Sequence, residues 1–240
     1  MKIQYYIILF IFFVLLLSSC DFDKYFGYSN ETEDLLQYVE IRGKVTNFYT
    51  DEPAPIVRVS VRHYETLTDY AGHFYFTYIL TADDERNRPL LFRFTQEKYY
   101  PEEKSVVINP LGTEVNVSMR YAAPIIKKAA LFPGQNSGYL EGTVYTCQAI
   151  VMDYQGINTV TKVEATIQIE DGSGNVWDKS SLMIKVDSPD LNEGYFQTKF
   201  QIVVGTNIKN GYRIYAQDNE GFDETLRTSI NPNNPDDPIF

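Results

Sequence analysis

The chain is 240 residues long, carries a net charge of −11 and is 15% aromatic, with 19 tyrosines. An acidic balance repels nucleic-acid phosphates and anionic lipid head groups, which excludes a nucleic-acid partner and a membrane contact made by charge. One or two domains are expected at this length, and Tyr, Val, Ile and Thr runs without sustained helical periodicity favour strands.

The chain opens on Lys2, an apolar run from Tyr5 to Leu17, and then Leu17-Ser18-Ser19-Cys20. A charged start, a short apolar stretch and small residues before a cut are the parts of a secretory signal. The run is shorter than the roughly 20 residues that span a bilayer comfortably. Leu-Ser-Ser-Cys at the end of such a run resembles the bacterial lipobox. That resemblance implies cleavage after residue 19, acylation of Cys20 and membrane attachment through lipid, of which stable anchoring takes two or more chains. An ordinary signal peptide with an incidental cysteine is the other reading. With Cys20 acylated, Cys147 is the lone thiol, so no disulfide is available within the mature chain. Its apolar neighbourhood, Val144 to Val151, suits a small buried hydrophobe.

Residues 20–37 are polar and acidic and read as a tether. From Tyr38 the pattern has period two: Val57, Val59 and Val61 alternate with Arg58 and Ser60, and Phe74, Phe76 and Tyr78 follow Gly72. Later, Leu90, Phe92 and Phe94 alternate with Leu91 and Arg93, then Val115, Val117 and Met119 with Asn116 and Ser118. Short alternating strands between Asp, Gly and Pro clusters predict an antiparallel sandwich over 38–121. Ile41-Arg42-Gly43-Lys44-Val45, Pro55 to Val61, and Thr68-Asp69-Tyr70-Ala71-Gly72-His73-Phe74-Tyr75-Phe76 carry a further likeness. The last matches T-D-x-x-G-x-F-x-F, and the unit resembles the carboxypeptidase regulatory-like domain, a transthyretin-type β-sandwich. Asp69 would close an Asx turn, Gly72 would take φ > 0, and the phenylalanines would re-enter the core. The resemblance implies a module without the zinc site or catalytic residues of the carboxypeptidases. The stretch Leu80 to Pro89 departs from the pattern as a longer charged loop.

Residues 122–138, with Pro124, Pro133, Gly134 and Lys127-Lys128, read as a linker. A second alternating region over 139–230 predicts another antiparallel sandwich of about seven strands. Ala149-Ile150-Val151-Met152-Asp153-Tyr154-Gln155-Gly156-Ile157 and Tyr212-Arg213-Ile214-Tyr215-Ala216-Gln217-Asp218-Asn219-Glu220-Gly221 resemble the opening and closing stretches of bacterial immunoglobulin-like domains. Residues 231–240, rich in Pro, Asn and Asp, read as a flexible tail. The expected fold is thus all-β, with two tandem antiparallel sandwiches behind a signal peptide at 1–19.

Chemistry is sparse. There is no H-E-x-x-H, G-x-S-x-G, P-loop or C-x-x-C, and no cofactor is expected. His63 and His73 flank Asp69, but strand parity sends both to the polar face, so exposed sheet histidines compete with a metal pair. Asp153, Asp218 and Glu220 offer oxygen ligands for calcium, against a reading in which Asp153 and Asp218 cap turns. Tyr75, Tyr99 and Tyr100 are candidate ligand contacts, because a tyrosine joins an apolar face to a polar tip. The expected function is a non-enzymatic outer-membrane lipoprotein that is anchored by lipid and binds or scaffolds a protein or glycan partner. The alternatives are an accessory subunit or enzyme of glycan degradation, and a structural spacer.

Overall fold

The computed structural model describes residues 37–80, 88–136 and 142–228. The signal peptide, Cys20, the tether before residue 37, most of the Leu80 to Pro89 loop and the 231–240 tail lie outside the described residues. Every regular element among them is a strand, and the strands form two sandwiches, each with its own core.

The first comprises β1 (Tyr38–Asn47), β2 (Arg58–Val61), β3 (Tyr64–Leu67), β4 (His73–Ile79), β5 (Leu90–Thr95), β6 (Glu102–Val106), β7 (Thr113–Glu114) and β8 (Val117–Met119). One sheet joins β4, β1, β7 and β8; the other has the order β3-β2-β5-β6. Alternation places Val39, Ile41 and Val45 of β1 against Val59, Val61, Phe92 and Phe94 from the facing sheet. The antiparallel plan fails at one strand. β1 pairs antiparallel with β4 but parallel with β7 and then with β8. The exchange of partners occurs at Gly43, where a Cβ would meet the Val115 carbonyl oxygen at 1.9 Å. The Val115 N–H donates to the Arg42 carbonyl at 2.9 Å, and the Lys44 N–H donates to Asn116 Oδ1 at 2.8 Å. A side-chain amide thus fills the break in the ladder.

The Thr68-to-Phe76 turn is built as its sequence predicts. Asp69 Oδ1 accepts from the N–H groups of Ala71 and His73 at 2.9 and 2.8 Å. Gly72 has φ +76°, and Phe74 is buried while Phe76 packs against the core. Thr68 is buried too; its hydroxyl donates to the Ala54 carbonyl and accepts from the Val57 N–H, both at 2.8 Å.

The second sandwich comprises β9 (Ile125–Asn136), β10 (Thr143–Met152), β11 (Val160–Asp171), β12 (Val176–Leu182), β13 (Ile184–Asp187), β14 (Glu193–Ile202), β15 (Thr206–Asp218) and β16 (Asp223–Thr228). Its sheets run β13-β14-β10-β9 and β12-β11-β15-β16. Cys147, Ala149 and Val151 meet Val163, Ala165, Ile167, Phe200 and Ile214 between them.

The expected linker is corrected here. Residues 125–136 form β9, an edge strand paired with β10 from Ile125↔Met152 to Asn136↔Thr143. Ala129 and Ala130 are buried, and Lys127 Nζ reaches Glu193 at 2.6 Å. An edge strand tolerates Pro133 because it owes no N–H to an outer neighbour. The joint shrinks to Ala122, Ala123 and Pro124, all buried.

Candidate functional site

Period-two alternation sends Glu40, Arg42, Lys44 and Thr46 of β1, with His73, Tyr75 and Thr77 of β4, away from the first core. The antiparallel register sets Arg42 beside Tyr75 and Lys44 beside His73. The parallel register sets Arg42 beside Glu114 and Thr46 beside Ser118. All of these but Glu40 and Thr77 line a groove of about 750 Å³ over the place where β1 exchanges partners. The Tyr75 hydroxyl donates to Glu40 Oε1 at 3.3 Å, and its ring remains exposed. Asn116 Nδ2 donates to Glu114 Oε1 at 2.7 Å.

The groove carries both signs of charge, Arg42 and Lys44 with Glu114 on the wall and Glu40 beside Tyr75. Some cations elsewhere are matched, Arg58 with Glu65, Arg93 with Glu103, Lys127 with Glu193 and Lys209 with Glu170, while others on the surface are not. Arg42 and Lys44 make no ion pair among the described residues. Two free cations beside an exposed aromatic ring, with Asn116 and Ser118 along the wall, can hold an anionic or polar ligand.

Tyr99 and Tyr100 lie elsewhere, at the boundary of the two sandwiches. Tyr99 is 8% exposed and packs edge-on against Tyr121 at 5.0 Å, so its ring is not offered to a ligand. Tyr100 is half-buried between Phe222, 5.3 Å away, and the Arg120 guanidinium. Tyr49 stacks on Tyr154 at 4.2 Å with the rings 4° from parallel. Gln155 Nε2 donates to the Tyr121 carbonyl at 2.7 Å and to the Tyr49 hydroxyl at 3.2 Å, and Lys98 pairs with Glu224. Sequence reasoning missed this seam. Its one signal was Tyr154-Gln155, polar and aromatic residues inside the immunoglobulin-like Asp153-to-Ile157 stretch.

Two of the three acids are spent on turns at the same boundary, and Glu220 gives its backbone N–H to one of them. Asp153, fully buried, accepts from the Gln155 N–H at 2.8 Å and the Thr159 hydroxyl at 3.0 Å. Asp218 Oδ1 accepts from the N–H groups of Glu220 and Phe222 at 2.9 and 2.8 Å. Burial pushes the Asp153 carboxyl above its usual range, against the pull of its two donors; the Asp218 and Glu220 charges push the same way. Among the described residues no three His, Cys, Asp or Glu side chains are grouped to hold a metal ion. His63 lies in the turn after β2 and His73 opens β4 on the other sheet. Cys147 is buried, and burial pushes its thiol up to about 12.

No protein-family model matches the chain, and no curated protein matches it. It is similar to solved structures at low identity. A DUF3823 family protein from Bacteroides ovatus is 9% identical, with 80% of this chain and 97% of that chain covered and a TM-score of 0.34. A second from Parabacteroides merdae is 10% identical, with 81% and 100% covered and a TM-score of 0.32. The major pilin subunit of Bacillus cereus is 11% identical, with 79% and 67% covered and a TM-score of 0.40.

Proposed function

We propose that this chain is a non-enzymatic lipoprotein of the bacterial outer membrane, acylated at Cys20, that binds a glycan in the groove of its first sandwich. The first unit is read as transthyretin-like and the second as immunoglobulin-like. One observation supports the binding role above the others: the outer face of β1 and β4 presents an exposed Tyr75 in a groove lined by charged and polar side chains, Arg42, Lys44 and Glu114 among them. Such a face combines a stacking surface with directed polar groups, the combination small-ligand sites use. Anchoring rests on Leu17-Ser18-Ser19-Cys20 at the end of an apolar run.

Two experiments test the proposal. Metabolic labelling with a fatty-acid probe should mark the wild type and leave Cys20→Ala unmarked; equal labelling would remove the anchor. Saturation-transfer NMR on the full chain in detergent, with a panel of oligosaccharides, should show transfer that Tyr75→Ala abolishes. Transfer unchanged by that substitution would take the groove out of the role.

A further inference from the structure

We propose that two copies of this chain pair edge to edge through β4, antiparallel about Phe76, so that their first sandwiches share one continuous sheet. The proposal does not depend on the glycan reading of the groove.

The first argument is that β4 is an open edge without protection. It ends its sheet, with β1 on its inner side. Edge strands are ordinarily kept from pairing by charge, proline, a bulge or short length. The other edges among the described residues have such a device. β6 and β16 carry three charged residues each. β9 carries Lys127, Lys128 and Pro133. β12 carries Asp178 and Lys179, and β13 carries Lys185 and Asp187 with a register shift. β3, β7 and β8 have four residues or fewer. β4 runs for seven residues without Asp, Glu, Lys, Arg or Pro, and its register with β1 is unbroken from Tyr38↔Ile79 to Lys44↔His73. Its Phe, Tyr, Thr and Ile are strong strand formers.

The second argument is the set of backbone groups left open. The Val45 N–H donates to the Gly72 carbonyl at 2.8 Å, and the Leu80 N–H donates to the Gln37 carbonyl at 2.9 Å. Alternation therefore turns the groups of Phe74, Phe76 and Tyr78 toward β1 and those of His73, Tyr75, Thr77 and Ile79 outward. The chain itself closes both ends. The His73 N–H donates to Asp69 Oδ1, and its carbonyl accepts from the Asp69 N–H, both at 2.8 Å. The Ile79 N–H donates to the Tyr64 hydroxyl at 3.1 Å. Between these ends, the N–H and carbonyl groups of Tyr75 and Thr77 have no hydrogen-bond partner among the described residues. Both residues are exposed.

The third argument says what fits this window. A hydrogen-bonded antiparallel pair exchanges both of its N–H···O bonds. With Phe76 on a two-fold axis, Tyr75 of each copy lies opposite Thr77 of the other. These two pairs use every open group at positions 75 and 77 and none that is already closed. Closed positions 73 and 79 are symmetric about residue 76 as well. A window complementary to itself is what an isologous dimer requires, whereas a foreign strand needs no such symmetry. Facing is kept: Tyr75 and Thr77 meet on the outer side, Phe76 meets its own copy, and Phe74 lies opposite Tyr78. Cross-strand aromatic pairs favour this register, and no like charges on β4 are set opposite each other. Phe76, half-buried and stacked on Tyr64 at 5.9 Å, gains cover on its open side.

The test is sedimentation velocity with backbone hydrogen exchange, on the full chain in detergent over a range of concentrations. The wild type should pass from monomer to doubled mass as concentration rises, and exchange at the Tyr75 and Thr77 amides should slow in step. Thr77→Pro and Thr77→Lys should both stay monomeric. Each spares the ladder to β1, because position 77 gives its N–H to the open edge, and the lysine variant serves if the proline variant fails to fold. Register is read by mixing Tyr75→Cys with Thr77→Cys under mild oxidation. The mixture should form a disulfide between the two introduced thiols, located by mass spectrometry. Either variant alone should cross-link far less at its new thiol, since like positions are diagonal neighbours about 7–8 Å apart, beyond the reach of an unstrained disulfide. A wild type that stays monomeric would overturn the proposal. Slow exchange in that monomer would assign the edge to another segment of the same chain, and fast exchange would leave it to a foreign strand. A dimer that survives both Thr77 variants would place the interface elsewhere. A mixture that cross-links no better than its components would overturn the pairing about Phe76.

Discussion

Gly72 and Gly174 both hold positive φ, at +76° and +83°, yet their surroundings differ. A Cβ on Gly72 would meet the Val45 carbonyl oxygen at 2.4 Å, whereas a Cβ on Gly174 meets nothing within 4 Å. Gly72→Val should therefore cost on the order of 1–3 kcal/mol from backbone strain alone, with the clash adding to it. Gly174→Val should cost less. Thermal unfolding of the two variants side by side checks this, and equal losses would mean the Val45 contact does not matter. Asp153 makes a second case. Asp153→Ala orphans the Gln155 N–H in the seam and should destabilise by about 1–3 kcal/mol. Asp153→Asn keeps an acceptor for that N–H, and its amide can donate to the Thr159 hydroxyl, whose single proton is shared between Asp153 and the Gly156 carbonyl in the wild type. Because burial raises the folded-state pKa above 3.8, the folded protein holds this proton more tightly than the unfolded chain. The stability linked to Asp153 is complete below 3.8 and is lost as pH rises through the folded value. The melting temperature of Asp153→Asn relative to wild type should rise across that interval. A constant difference would show that the buried carboxylate carries no charge penalty.

At the scale of elements, β9 revises what protease should find. Lys127 and Lys128 sit in a paired strand, flanked by buried Ile126, Ala129 and Ala130. Native-state trypsin should spare this bond in the wild type; a first cut there, seen by mass spectrometry, would return residues 122–138 to linker status. The sequence hid β9 because Pro133, Gly134 and two lysines are punctuation in a chain read locally. On an edge strand the same residues have structural uses: proline needs no outer partner, and lysines discourage edge-to-edge pairing. Period-two runs such as Val163-Ala165-Ile167 were legible because one face is buried throughout. β12 and β13 were not, since nearly every residue in them is exposed and no alternation survives. Tyr75 could be placed by parity alone, lying between inward Phe74 and Phe76 on a strand with a clear inside. Tyr99 could not, because its burial depends on Tyr121, joined to it only by tertiary pairing. The free cations were equally hidden, since pairing across β1, β4 and β7 decides which charges meet.

For the whole molecule, the Tyr49–Tyr154 stack, the Gln155 bonds and the Lys98–Glu224 pair couple two cores that composition alone would treat as independent. The wild type should unfold in one calorimetric transition, and Tyr49→Ala with Gln155→Ala should split it in two. Two transitions in the wild type would show that the seam contributes too little to couple them. The parallel pairing of β1 with β8 has a mechanical side as well. The chain enters the first sandwich at the start of β1 and leaves it just past the end of β8, and Val45, Thr46 and Asn47 lie against Val117, Ser118 and Met119. Tension applied through the two ends draws these neighbours past each other along their length, so the rungs between them are loaded together instead of peeling one after another. A protein held at one end and pulled at the other meets that pull in shear, and its resistance is governed by the rate of rupture, not by equilibrium stability.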